Sequence, residues 1–271
     1  MVILEKRKKY PVLGVDISPY KEEEFLKVID DRLKDKSPSS PPLFVVTVNP
    51  EIIIHSILDP KFRNILRQSS NINTADGVGI SWAIDYLYGK KIDRITGSDS
   101  LEKICQLCAN NSESVFFYGA MPTVAEKAAE KLKKKIKNLV VEDTYSPERP
   151  DIPLEELPFD TQYYLKCSSV VFVGLGAPAQ EKWIHENLPK LPKCKLIIGI
   201  GGSFDFVAGN VKRAPSWLCK SGLEWVYRLI VQPARWRRML KLPVFALNVL
   251  LLKQSEPKSI EQKAAEPVTA E

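Results

Sequence analysis

Three kinds of residue in this chain have the types and spacing for chemistry: a carboxylate between small neighbours, glycine clusters after apolar runs, and arginines crowded toward the C-terminus. Asp76 stands between Ala75 and Gly77, just past the short apolar stretch Ile72 to Thr74. Small neighbours leave such a carboxylate open to whatever lies above it, as a general base requires. The local alternative is a helix N-cap. Gly174 and Gly176 follow the run Val170 to Val173, and Gly201 and Gly202 follow Leu196 to Ile198. Glycine past a strand lets the backbone turn sharply and lets an anionic ligand approach the amide hydrogens. Two such clusters on consecutive strands favour a nucleotide or phosphate pocket over plain tight turns. Gly119, which closes Val115 to Tyr118, is assigned to the same nucleotide site. Thr47 and Asn49 end another apolar run, where capping of the following helix is the competing role.

These residues need a scaffold, and the apolar runs describe one. Runs without polar alternation belong to strands covered on both faces, as in a parallel sheet. Strands are expected at Val12 to Ile17, Leu43 to Val48, Ile72 to Thr74, Val115 to Tyr118, Leu139 to Val141, Val170 to Val173 and Leu196 to Ile198. Helices are expected between them. One spans Lys21 to Lys36, with Phe25, Leu26, Ile29 and Leu33 on one face; others run from Pro50 through Ile57, from Asp59-Pro60, over Ile80 to Leu87, from a cap at Asp99, and over Thr123 to Lys137 and Phe159 to Lys166. Such alternation predicts an α/β fold, a doubly wound, mostly parallel Rossmann-like sheet.

Beyond Gly209 the character changes. Between Lys212 and Lys241 stand Lys212, Arg213, Lys220, Arg228, Arg235, Arg237, Arg238 and Lys241 against the single acid Glu224, with Trp217, Trp225 and Trp236 among them. Arg and Trp on short amphipathic helices suit an anionic lipid surface. The expected organisation is a Rossmann-like domain over 1–211, a basic helical appendage over 212–252, and a disordered polar tail over 253–271.

The chain has 271 residues, 44% of them hydrophobic and 27% charged, which describes an ordinary globular protein. Five irregularly spaced cysteines and a charged N-terminus without an apolar segment point to a reducing compartment and no export signal. Cys105 and Cys108 sit at helical spacing among apolar residues, so they are read as core rather than zinc ligands. No run is long enough to span a membrane. The histidines, His55 and His185, lie far apart, and no Asp-x-Asp occurs, so a metal-bound phosphate site has little support. Gly174 to Ala179 fits the loose dinucleotide fingerprint, but the next strand ends in Gly199-Ile-Gly201-Gly202, without the acid that would hold a ribose. A nicotinamide oxidoreductase is therefore the weaker enzyme reading. A nucleic-acid-binding protein is weaker still, because the basic residues lie amid Trp and Leu and no RNA-binding motif is present.

Taken together, the ordered pieces resemble the WecG/TagA/CpsF glycosyltransferases, family 26 of that enzyme class. They are Thr47-Val-Asn49, Thr74-Ala-Asp76-Gly77, Arg94-Ile-Thr-Gly97, Gly174-Leu-Gly176-Ala-Pro-Ala-Gln180-Glu181-Lys-Trp183, Gly201-Gly-Ser-Phe-Asp205, Arg213-Ala-Pro-Ser-Trp217 and Gly222-Leu-Glu224-Trp225 through Arg238. The resemblance implies an inverting, metal-independent transfer of a sugar such as N-acetylmannosamine from a UDP-sugar to an undecaprenyl-diphosphate-linked N-acetylglucosamine. No cofactor is implied. It makes Asp76 the base and places Arg94, Thr47, Asn49 and Gln180 with it as catalytic and positioning residues. Asp205 would accept from the uracil or ribose, and Arg228, Arg235 and Arg238 would hold the acceptor diphosphate. The implied setting is cytoplasmic, on the inner face of the plasma membrane. The expected partners are a UDP-sugar, a polyprenyl-diphosphate-linked saccharide and an anionic membrane surface; self-association is left open, and nucleic acid is not among them. Glu142 to Pro147 and the proline-rich loop to Pro158 depart from the family pattern, which leaves the donor sugar open.

Overall fold

The computed structural model describes residues 8–37, 40–212, 214–215, 218, 223–233 and 236–255, without the side chains of residues 224, 228, 237 and 255. Its centre is a parallel sheet of six strands: β3 (Leu43–Val48), β4 (Ile72–Ala75), β5 (Ser114–Gly119), β6 (Val140–Tyr145), β7 (Val170–Gly174) and β8 (Leu196–Gly199). Their spatial order is β4-β3-β8-β7-β5-β6. This is the doubly wound α/β sheet that the uninterrupted apolar runs predict.

Alternate residues of each inner strand feed opposite layers, which is why those runs are apolar throughout. In β7, Val171 and Val173 join one core, while Val170 and Phe172 join the other. The first layer contains α2 (Pro50–Leu58), α3 (Pro60–Asn64), α4 (Val78–Tyr88) and α8 (Ala179–Asn187). The second contains α1 (Glu22–Lys34), α5 (Gly97–Asn110), α6 (Val124–Lys135) and α9 (Ser203–Ala208). A further helix, α7 (Phe159–Cys167), precedes β7.

Three local expectations are corrected. Val12 to Ile17 is not one strand but the middle of a hairpin, β1 (Tyr10–Val12) with β2 (Val15–Ile17), outside the main sheet. Val12 and Val15 would face opposite sides of a single strand, whereas the turn at Leu13-Gly14 pairs them and both are buried. The expected strand over Leu139 to Val141 starts one residue later and continues to Tyr145; as an edge strand paired only to β5, β6 tolerates the polar residues that ended the apolar pattern. The cap of α5 is Thr96 rather than Asp99: its Oγ1 accepts from the Asp99 backbone N–H at 3.2 Å and donates to the Asp99 carboxylate at 2.8 Å. The Thr96-x-x-Asp99 spacing carried that reciprocal signal in the sequence. Cys105 and Cys108 are fully buried in α5, and burial pushes both thiols up, as core residues require.

At the C-terminus lie α10 (Glu224–Val231), α11 (Trp236–Met239) and α12 (Lys241–Ser255). Helix α12 lays Phe245 and Val249 into the first core layer beside α2 and α4. It extends past Leu252, where Lys253 donates to the Tyr86 carbonyl at 2.5 Å. The rest of the expected tail, 256–271, lies outside the described residues.

Candidate active site

A cavity of about 550 Å3 opens over the C-terminal ends of β3, β4, β7 and β8, where an open α/β sheet places its ligands. A larger one, about 740 Å3, lies beside the N-terminal end of the strands, where Glu113 pairs with Lys195, and contains none of the candidate site residues. The candidate residues converge at the first.

Parallel pairing assembles that wall. Thr47 lies opposite Thr74, and Val48 opposite Ala75, so Asn49 and Asp76 emerge side by side. The Asp76 backbone N–H donates to the Val48 carbonyl at 2.7 Å, holding the residue at the strand end. Its side chain is half-buried and lines the cavity. The N-cap of α4 is Gly77, one residue beyond Asp76, so Asp76 is not the N-cap residue. Asn49 does cap α2: its Oδ1 accepts from the Ile52 N–H at 3.0 Å, while the residue also lines the cavity. Thr47 is not a cap. It is almost wholly buried, and its Oγ1 donates to the Gly199 carbonyl at 3.0 Å across the β3–β8 pair.

The two glycine clusters form the floor. Gly174, Gly176, Gly201 and Gly202 all line the cavity. At Gly176 and Gly201 the backbone turns with φ of +79° and +52°, and an added Cβ would meet nothing within 4 Å. Conformation alone therefore selects glycine there. Asp205 lines the cavity from α9, and its carbonyl takes the N–H groups of Asn210 and Val211, which fixes the chain as it leaves that helix.

Gln180, in the first turn of α8, reaches from beneath. It is only 2% exposed, its Oε1 accepts from the Gly201 N–H at 3.0 Å, and its Nε2 donates to Glu181 Oε1 at 2.7 Å. Glu181 is fully buried, and its second oxygen has no hydrogen-bond partner. Burial pushes its carboxyl up to about 7, with the Gln180 bond pulling weakly the other way. The folded chain thus holds this proton more tightly than the unfolded chain does at 4.5. The stabilisation is complete below the unfolded value and is lost as pH rises through the folded one. Glu181→Gln is expected to remove about 3 kcal/mol of pH-dependent stability across that window, read as the difference in denaturant midpoints between the two proteins. Equal pH slopes would mean that Glu181 titrates normally.

The C-terminal helices close one side. Arg238 and Gln232 line the cavity. Arg238 donates through Nε to Glu51 at 2.8 Å, and Lys241 reaches the other oxygen of Glu51 at 2.9 Å. Burial pushes the Glu51 carboxyl up, but these two cations outweigh it and hold it below the usual glutamate value. His55 sits 2.8 Å from Lys241, and burial together with that cation lowers its pKa. On the opposite side, Met121 and the loop Pro147 to Pro150 overhang the cavity. Ser146 fastens that loop through the Gly119 carbonyl at 3.1 Å.

Most of the candidate residues therefore meet. Two do not line the cavity: Arg94, whose neighbour Ile95 is tied by its N–H to the Ala75 carbonyl, and Gly119, whose place in the wall is taken by Ala120. The side chain of Arg228 and all of Arg235 lie outside the described residues. Sequence reasoning gave no role to Glu51 or Glu181. Glu181 stands within the stretch Gly174 to Trp183, but nothing local distinguishes it from a solvated glutamate.

The sequence model of the Glycosyl transferase WecG/TagA/CpsF family matches residues 10–259. Three curated relatives carry the name N-acetylglucosaminyldiphosphoundecaprenol N-acetyl-beta-D-mannosaminyltransferase. The one from Bacillus subtilis (strain 168) is 37% identical over 76% of this chain and 78% of its own length. That from Bacillus spizizenii is 34% identical over 79% of this chain and 81% of its own length. That from Staphylococcus aureus (strain MRSA252) is 30% identical over 93% of this chain and 96% of its own length. With the same motifs gathered around one cavity at the strand ends, the chain belongs to the WecG/TagA/CpsF family of glycosyltransferases.

Proposed function

We propose that this glycosyltransferase moves N-acetylmannosamine or a related hexose from a UDP-sugar to N-acetylglucosamine carried on undecaprenyl diphosphate, inverting the anomeric centre without a metal. The acceptor and the transferred sugar follow the relatives' names. The observation that carries the mechanism is Asp76 in the same cavity as the Gly174–Gly176 and Gly201–Gly202 turns. In this reading the diphosphate of the donor lies on the glycine turns, and Asp76 takes the proton from the acceptor hydroxyl. The freed oxygen attacks the anomeric carbon from the face opposite the diphosphate, and UDP leaves with the bonding pair.

Arg238 is suited to the charge on a diphosphate, with Glu51 holding it at the cavity edge. In this scheme arginine side chains and backbone amides carry the charge of the leaving group. The family assignment gives a nicotinamide oxidoreductase no support.

The outer surface of the C-terminal helices supports docking to a membrane. No described helix is long and apolar enough to cross one. Trp225, Ile230, Trp236, Leu240, Leu247 and Leu251 are exposed there, in a segment rich in Arg and Lys. Each basic residue near an anionic surface is worth about 1 kcal/mol. Such docking would bring the cavity to a lipid-linked acceptor on the cytoplasmic face.

A panel of UDP-sugars assayed for UDP release, with a prenyl-diphosphate-linked N-acetylglucosamine as acceptor, tests the proposal. Acceptor-dependent release is expected with UDP-N-acetylmannosamine or a close relative. Tight binding of NAD with none of UDP would overturn it.

A further inference from the structure

Gln180 has a side-chain amide with few options. Its oxygen is committed to the Gly201 N–H, and one Nε2 hydrogen is committed to Glu181. The amide is packed so closely on β8 that a Cβ at Gly199 would lie 2.7 Å from Nε2. That leaves one Nε2 hydrogen in a side chain that lines the substrate cavity.

Which end of the amide points where is decided by its two partners. The Gly201 N–H can only donate, so it selects the oxygen. Glu181 Oε1 accepts, so it selects the nitrogen. Glu181 itself has no access to solvent and touches neither cavity. A buried carboxyl with an orphaned oxygen costs stability, so its presence calls for another role. The charged group acting on it from the facing helix is Glu51 of α2, which is neutralised by Arg238 and Lys241, with His55 beside Lys241. On its own helix, Lys182 is occupied by Asp59.

We infer that Glu181 is a positioning residue for the transfer reaction: it orients the Gln180 amide so that the remaining Nε2 hydrogen donates to a diphosphate oxygen of the substrate at the Gly201 turn. The inference rests on the transferase reading above. Glu181 acts only through Gln180, and it does so whether or not it carries its proton, since Oε1 can accept in both states.

The full-length chain tests this with Gln180→Ala, Glu181→Leu, their double variant and Glu181→Gln, read as UDP affinity by calorimetry and as kcat and KM for the UDP-sugar. Each of the first two is expected to weaken UDP ~10-fold, the usual effect of one lost hydrogen bond to a charged group. The double variant should be no weaker than either single one, because both changes remove the same contact. Glu181→Gln restores an acceptor and should recover UDP affinity to within ~3-fold of the parent. Additive losses, or no recovery, would overturn the inference.

A second measurement needs neither turnover nor a foldable leucine variant. The Gln180 side-chain 15N resonances should shift with pH, with the midpoint of Glu181 at about 7, and stop shifting in Glu181→Gln. A Gln180 signal that stays constant while the Glu181 carboxyl 13C resonance titrates removes Glu181 from its role, whereas a parent chain that binds no UDP removes the transferase reading instead.

Discussion

Asp76→Asn is expected to lower turnover at least ~100-fold, the lower end for loss of a general base, with little change in UDP affinity or thermal stability. Asparagine keeps the volume and a carbonyl oxygen but cannot take a proton at neutral pH. The N-cap position of α4 belongs to Gly77, not to Asp76. The backbone tie from Asp76 to Val48 is indifferent to the side chain. The substitution should therefore separate chemistry from binding: kcat falls while the UDP dissociation constant holds. Near-parental turnover would assign the proton to another group and remove Asp76 from the mechanism. A parallel loss of UDP affinity would place Asp76 on the donor rather than facing the acceptor.

Phe245→Ala should produce the largest loss of stability, about 3–5 kcal/mol, because a fully buried aromatic ring leaves a cavity that its neighbours cannot refill. Phe245 is 2% exposed, and its ring edge lies against Gly79 of α4. It joins α12 to the sheet's first layer together with Val249. Val244→Ala, on the exposed side of the same helix, should change stability within about 0.5 kcal/mol. Urea unfolding of the two variants makes the comparison. Transfer should fall with Phe245→Ala as well, since Arg238 and Lys241 reach Glu51 only while these helices are docked. Equal stability of the two variants would mean that α12 does not pack on α2 and α4 in solution. Truncating the chain before α12 would strip Phe245 and Val249 from the core, so point substitutions isolate the role of this segment better than deletion does.

The sheet was legible because burial on two faces leaves a pattern that no surface element shares. Val170 to Val173 and Leu196 to Ile198 are apolar at every position, and both strands sit in the middle of the sheet. The pattern faded where burial did. Strand β6 lies at an edge, so its polar half leaves no apolar signal, and the hairpin of β1 and β2 resembles one strand in sequence because its turn is only Leu13-Gly14. Glycines at strand ends were also legible, since Gly176 and Gly201 adopt backbone conformations that other residues resist.

By itself, then, the sequence determined the fold class, the family and many of the residues that line the cavity at the strand ends, though not Arg94 or Gly119, because periodicity and glycine turns record local burial and local backbone demands. Only the tertiary structure decided who touches whom. Strand β8 slots between β3 and β7, so Thr47 bonds Gly199 and Gln180 bonds Gly201. Glu51 meets Arg238 across 187 residues of chain, and Glu181 is a buried acid rather than a surface one. Such contacts depend on the order in which strands are laid side by side, and no local pattern of residues carries that order.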